Sequence, residues 1–244
     1  MTKDLRQQLK EQLKKVKIEV GANDNERKFA VFERFPDFVP YIAKGYGDSK
    51  KILLILESYY ASYEKSIDIV NSPEKWYFDA PQECIDSLRE FGRQNEEACR
   101  HWNFASKMYS DGIDRKSRTF TNVANVFKEF MPKGEDPFSY CAGYNFYLRP
   151  AKGAESINDK GIDKQIAVET LKSVINTLDP QYVIFFSKKS YEAFKCHKNE
   201  FQSVTFKQFS HPASPWWNRK QGKDKLSAKE RFLQFLRNEV FNNK

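Results

Sequence analysis

KILLILESYY, residues 51–60, is the stretch that decides the fold. Ile52, Leu53, Leu54, Ile55 and Leu56 are apolar without interruption, so both faces of the segment must be buried. An antiparallel strand with one wet face alternates instead; an unbroken run after a charged start predicts a parallel strand covered on each side. Working outward, strand-like runs recur at residues 144–148, 182–186 and 204–209. Between the first and second of these, Ile166, Leu171, Val174, Ile175 and Leu178 form one face of a helix. A last helix over residues 228–241 buries Phe232, Phe235, Leu236 and Val240. Strands separated by helices imply right-handed crossovers. The expectation is an α/β fold, a single domain with a central four-stranded parallel sheet flanked by helices.

The flanks of this core are less regular. Leu5, Leu9, Leu13 and Val16 recur at helical spacing in a very charged segment, and a second helix is expected after the break at residues 21–24, running to about Arg34. Residues 1–44 therefore read as an N-terminal helical extension and residues 45–244 as the α/β domain. Residues 72–131 read as mostly helical, with plausible helix starts at Ser72, Ala80 and Asn95.

The 244 residues carry a net charge of +8, which suits a polyanionic partner such as nucleic acid. Aromatic residues reach 15%, many of them in loops beside Lys and Arg, as base stacking and extrusion require. No apolar leader and no segment long enough to span a membrane is present, so a cytoplasmic protein without membrane contact is expected. Cys84, Cys99, Cys141 and Cys196 show no C-x-x-C spacing, which predicts free thiols. His101 and His197 have no partner at metal-ligand spacing, so no metal is expected. Phosphate-binding, dinucleotide-binding and serine-hydrolase motifs are missing, which argues against those enzyme classes.

In an open parallel sheet, ligands gather beyond the carboxyl ends of the strands. Glu57 and Ser58, Arg149, Ser187, and Ser210 with His211 each follow a strand end, so four distant pieces are expected on one rim. Those pieces are LESYY at residues 56–60, YNFYLRP at 144–150, LDPQYVIFFSKKSYEAF at 178–194 and HPASPWWNR at 211–219. In that order, over roughly residues 45–240, they resemble the motifs of the uracil-DNA glycosylase superfamily. The likeness departs at Leu56, where relatives carry glycine, and at Ser58, where Asp, Asn or Ala is usual.

The resemblance implies a DNA glycosylase that flips a base and cleaves its N-glycosidic bond without a cofactor. His211 would stabilise the charge on the departing base. Glu57 and Ser58 would orient water or steady the sugar cation; otherwise Glu57 is a strand-end carboxylate at a helix N-terminus with Ser58 as cap. Asn145 would read the pyrimidine edge, or form a turn after Gly143. Tyr60 aligns with a tyrosine that crowds the base, and core packing is its other reading. Arg149 contacts phosphate or forms an ion pair. Trp216 and Trp217, with Arg219, Lys220, Lys223 and Lys225, would enter the duplex and hold phosphates, one tryptophan packing inward.

No close cysteine pair exists, so no iron–sulfur cluster is expected. The resemblance implies base-modified or damaged DNA as the partner, and a monomer is expected. The base it implies is a damaged or modified pyrimidine: uracil, or a hypermodified base such as those of phage DNA, which would make the role DNA repair or anti-phage defence. The rivals are a DNA-binding module of the same fold without hydrolysis, and a hydrolase of free nucleosides or nucleotides.

Overall fold

The computed structural model describes residues 3–21, 27–61, 72–79, 118–152, 156–159 and 161–242. Helix α1 (Lys3–Lys14) leads into a hairpin of β1 (Lys17–Val20) and β2 (Arg27–Ala30), then a single turn, α2 (Val31–Arg34), and a short strand, β3 (Tyr41–Ile42). Strand β4 (Ile52–Ala61), helix α3 (Arg118–Phe127), strand β5 (Cys141–Lys152) and helix α4 (Ile162–Leu178) follow. The chain ends with β6 (Tyr182–Phe185), α5 (Lys188–Phe194), β7 (Thr205–Gln208) and α6 (Ala228–Phe235), which runs on into a π-helical turn at Leu236–Val240.

Five strands form the main sheet in the order β3-β5-β4-β6-β7. The four strands expected from the apolar runs make three parallel pairings: β4 lies between β5 and β6, and β7 pairs with β6. The expected count of four is corrected by β3, which pairs antiparallel with β5 and makes the sheet mixed. Its two residues are too short to show a period.

Both faces of the sheet are covered, and the side-chain alternation shows how. The rings of Tyr182 and Phe186 meet Phe235 and Phe232 of α6, whereas Phe185 meets Tyr191 and Phe194 of α5. Successive strand residues point to opposite faces, so α5 and α6 lie on opposite sides. Phe127 of α3 packs on Phe232 at 5.6 Å, which puts α3 beside α6. Helix α4 packs against α5 and β5, and also carries α1 and β1.

The helices start where the sequence supplies caps. The Ser187 hydroxyl accepts from the Ser190 amide at the start of α5. Ser227 and Glu230 form a reciprocal capping box on α6. Helix α4 closes on Asp179 in the left-handed region, whose amide donates to the Ile175 carbonyl at 2.8 Å.

The expected second helix before Arg34 is mostly absent. Ile18 and Val20 alternate with exposed Lys17 and Glu19, and the hairpin packs them into the core with Phe29. Gln165 of α4 holds the hairpin by bonding both the amide and the carbonyl of Gly21. The N-terminal segment is thus helix plus hairpin, joined to the same core as the sheet. The helical reading of residues 72–131 is met at 118–127, while residues 80–117, with Cys84, Cys99 and His101, lie outside the described residues. Cys141 is buried and Cys196 exposed, both as free thiols. No described helix is long and apolar enough to cross a membrane.

Phe232 touches the rings of Phe127, Phe186, Phe209 and Trp217 and is fully buried. Phe232→Ala is expected to destabilise the fold by about 3–5 kcal/mol, the usual cost of an aromatic cavity. A urea midpoint within error of the parent would show that this cluster does not hold α6 to the sheet.

Candidate functional site

The chain passes from β4 to β5 on one side, then crosses back to β6 on the other. That reversal opens a crevice at the carboxyl ends of β4 and β6, the place where such sheets take ligands. Glu57 and Ser187 meet across it. Glu57 Oε2 accepts from the Ser187 hydroxyl at 2.8 Å. Its other oxygen accepts from the Ser156 hydroxyl and from the Ile157 amide at 3.1 Å. One carboxylate therefore ties β4 to the cap of α5 and to residues 156–159.

That short strap is held along its length. Lys189 donates to the Ile157 carbonyl and pairs with Asp159 at 3.2 Å. The Tyr147 hydroxyl donates to Asp159 at 2.9 Å. Burial pulls the Asp159 carboxyl up, but Tyr147 and Lys189 outweigh it and hold it below the ordinary range. Sequence reasoning named none of Asp159, Ser156 and Lys189, because no motif links them to Glu57.

His211 follows β7 in a loop fixed from several sides. Asn122 of α3 donates to the Pro212 carbonyl at 2.8 Å, and the Ser214 amide donates to the His211 carbonyl at 2.9 Å. The Ala213 amide donates to His211 Nδ1 at 3.2 Å. An imidazole nitrogen that accepts is unprotonated, so the ring proton sits on Nε2. Burial lowers the His211 pKa, and nearby Glu57 opposes this only in part. The ring is therefore neutral at neutral pH, with an N–H to donate, and feels the Glu57 charge at longer range.

The strand register sorts the remaining residues by face. Ile52 pairs with Tyr182 and Leu54 with Ile184, so the even residues of β4 face α6. Leu56 pairs with Asn145, and Ser58 follows two residues on, before the register shift. Asn145 and Ser58 thus share the α3–α6 face, and Glu57 points the other way. Asn145 and Ser58 are at least nine-tenths buried, at 7% and 8% exposure, and Asn145 Oδ1 and Ser58 Oγ have no hydrogen-bond partner among the described residues. Ser58 is not a helix cap, because β4 continues through Ala61. Tyr60 lies in β4, and its side chain falls outside the described residues.

Arg149 needs correction as a DNA contact. It is 4% exposed, its guanidinium grips both oxygens of Asp163 with a shortest contact of 2.6 Å, and it also donates to the Asn158 carbonyl. A phosphate cannot reach it. Burial lowers its pKa and Asp163 more than restores it. The aspartate lies fourteen positions ahead, beyond the reach of any local pattern.

The two tryptophans separate. Trp217 is buried against Phe186 and Phe232. Trp216 is 51% exposed, with the Arg219 guanidinium 5.6 Å from its ring centre. The chain then folds into a small closed loop in which the Gln221 amide bonds the Leu226 carbonyl at 3.0 Å. Gly222 and Lys225 have positive φ there, as the tight turn demands. Arg231 of α6 pins the loop through the Gln221 carbonyl and both oxygens of Asp224. That pairing holds the Asp224 pKa at about 2 and occupies the only acid of the loop. Arg219, Lys220, Lys223 and Lys225 are exposed, with no ion pair among the described residues.

His197 pairs with Glu200 at 2.7 Å on the surface, apart from the rim. Among the described residues, no cluster of three or more His, Cys, Asp or Glu is arranged to hold a metal ion. A hollow of about 500 Å³, lined by Lys198, Phe201 and Phe206 among others, opens beside the start of β7 and contains none of the candidate residues. No protein-family model matches the chain, and no curated protein matches it significantly.

Two outcomes are expected. Arg149→Ala leaves Asp163 as an uncompensated buried charge and should cost about 3–5 kcal/mol; unchanged denaturation would remove the pair from the fold. For His211, the folded pKa lies below the unfolded value of about 6.5. The unfolded chain then binds the proton first, so stability should fall as pH drops below that value and level off once the folded ring protonates. Urea midpoints between pH 7.5 and 4.5 should show this component in the parent and lack it in His211→Asn.

Proposed function

We propose that this chain is a monofunctional DNA glycosylase that flips a damaged or modified pyrimidine-type base and hydrolyses its N-glycosidic bond. The observation that carries the reading is the His211 ring: neutral, its Nε2–H turned away from the Ala213 amide that Nδ1 accepts, and within the electrostatic reach of Glu57, which ties β4 to the cap of α5. As the bond from the sugar C1′ to the base nitrogen breaks, the electron pair leaves with the base. His211 Nε2–H donates to the base carbonyl oxygen that takes up this charge. The Glu57 carboxylate faces the positive charge left on the sugar. It has about four lone-pair sites and three protein donors, which leaves room for a water. That water adds to C1′, and its proton passes through Glu57 to solvent. Asn145 Oδ1 accepts from the base edge.

The loop after His211 supplies DNA binding. Arg219, Lys220, Lys223 and Lys225 hold phosphates, and the exposed Trp216 ring fills the gap left by the flipped nucleotide. The base, and a place in repair or in defence against phage, belong to the same proposal. One observation favours a second reading, a DNA-binding module without hydrolysis: Glu57 is heavily committed to protein donors.

Base release from duplexes carrying uracil, damaged bases or modified phage cytosines, followed by mass spectrometry, separates the two. A glycosylase leaves an alkali-sensitive site, and His211→Ala raises its barrier by about 2.7–4 kcal/mol with DNA affinity nearly unchanged. Salt-dependent binding with no base released from any duplex would establish the second reading instead. Trp216→Ala is expected to keep stability within about 0.5 kcal/mol and to impair paired DNA more than single strands. Trp217→Ala should instead cost about 3–5 kcal/mol. Equal losses on both kinds of DNA in Trp216→Ala would exclude the wedge.

A further inference from the structure

We infer that Ser187 is a positioning residue for the proposed reaction, and that Oε2 is the oxygen of Glu57 that takes the proton of the attacking water. The inference rests on the glycosylase reading and deepens it. It follows from counting lone pairs on each carboxylate oxygen separately. Each has about two sites for donors. Oε1 receives the Ser156 hydroxyl and the Ile157 amide, so the strap at residues 156–159 fills it. Among the described residues, Oε2 receives only the Ser187 hydroxyl, at 2.8 Å. One site is left open, and it lies on the oxygen that Ser187 holds. The commitment of Glu57 to protein donors is therefore uneven: it silences one oxygen and aims the other.

Ser187 is itself fixed. A hydroxyl has one proton and two lone pairs. The Ser190 amide donates to Ser187 Oγ at 3.2 Å, and the single proton goes to Glu57. The start of α5 is tied to β4 twice more, by the Phe186 amide on the Ile55 carbonyl at 2.9 Å and the Ser190 hydroxyl on the Leu56 carbonyl at 3.4 Å. A helix cap needs only the acceptor oxygen, so capping does not account for the bond to Glu57. Ser187 is 4% exposed and Glu57 half-buried, so water meets the carboxylate rather than the hydroxyl. Without Ser187 the carboxylate still hangs from the strap by Oε1, and Oε2 swings about that attachment. In the reaction, the water oxygen bonds C1′ as the C1′–N bond breaks and its electron pair leaves with the base. The proton of the water passes to Oε2 and on to solvent, and the departed base takes one up from solvent. Ser187 gains and loses no proton; it keeps Oε2 in line, where a misplacement of about 1 Å costs about a hundredfold.

The test uses the full chain with Ser187→Gly, Ser187→Thr and Ser156→Ala. Glycine replaces a capping serine with little loss of helix stability, so Ser187→Gly removes the hydroxyl and should keep the melting temperature within about 3 °C. Base release is followed on a duplex carrying uracil, or on one carrying a damaged base or a modified phage cytosine if that base leaves faster. Ser187→Gly should lower kcat about tenfold to a hundredfold with KM unchanged, and Ser187→Thr, which keeps the hydroxyl, should restore it. The carboxyl carbon resonance of Glu57, recognised by its loss in Glu57→Gln, should move in Ser187→Gly and return in Ser187→Thr. Ser156→Ala, which opens the oxygen away from the reaction, should cost less than Ser187→Gly. An unchanged kcat in Ser187→Gly, a change in KM alone, an unmoved resonance or a larger loss in Ser156→Ala overturns the inference and leaves the glycosylase reading standing. So does a kcat that follows a lowered melting temperature in both Ser187 variants, which makes the residue a cap alone. If the parent releases no base from any duplex, the glycosylase reading fails and takes the inference with it.

Discussion

The Glu57 carboxylate lies in β4, the central strand of the sheet, and three segments far apart in sequence converge on it: the cap of α5, the strap at residues 156–159 and, through its field, the His211 loop. Charged hydrogen bonds of this kind are stronger than neutral ones and fix direction as well as distance. The sheet provides the constraint behind this arrangement. Because β4, β5, β6 and β7 are parallel, all four release their chains at the same edge, and polar residues that follow each run are forced into one neighbourhood. The carboxylate then stops those loose ends from drifting apart. A rim built this way is positioned by secondary structure and locked by a single acceptor, Glu57.

Much of the fold was legible because continuous apolar runs have few alternatives. Ile52 to Leu56 cannot leave a face in water, and the same holds for residues 182–186, so strand type and parallel pairing followed from burial alone. The hairpin was missed for the opposite reason. Ile18 and Val20 alternate over only four residues, and a leucine repeat just upstream makes the helical reading stronger than so short a period can contest. Strand β3 has no period to detect.

At the site, the polar residue types after each strand were visible in sequence, but their partners were not. Arg149 and Asn145 look equivalent there, since each is a polar residue in a strand-like run. What separates them is a distant neighbour: Asp163 neutralises the arginine and retires it into the core, while none of the described residues answers the asparagine oxygen. Pairing of that kind depends on tertiary contact and leaves no trace in spacing. The tryptophans teach the same lesson on a smaller scale. Two identical neighbours differ because the turn beginning at Pro215 sends one ring towards Phe232 and the other outward.

The small loop closed by Gln221 and Leu226 has a consequence for how cations are presented. Lysines on a flexible tail lose much of their freedom when they meet a polyanion, and that loss weakens binding. Here the backbone beneath Lys223 and Lys225 is closed by its own amide bond and anchored to α6 by Arg231. The ordering entropy is lost during folding, before any partner arrives. The loop is therefore less a charged tether than a stiff template, and a polyanion that met it would have to match the spacing of the charges as well as their number.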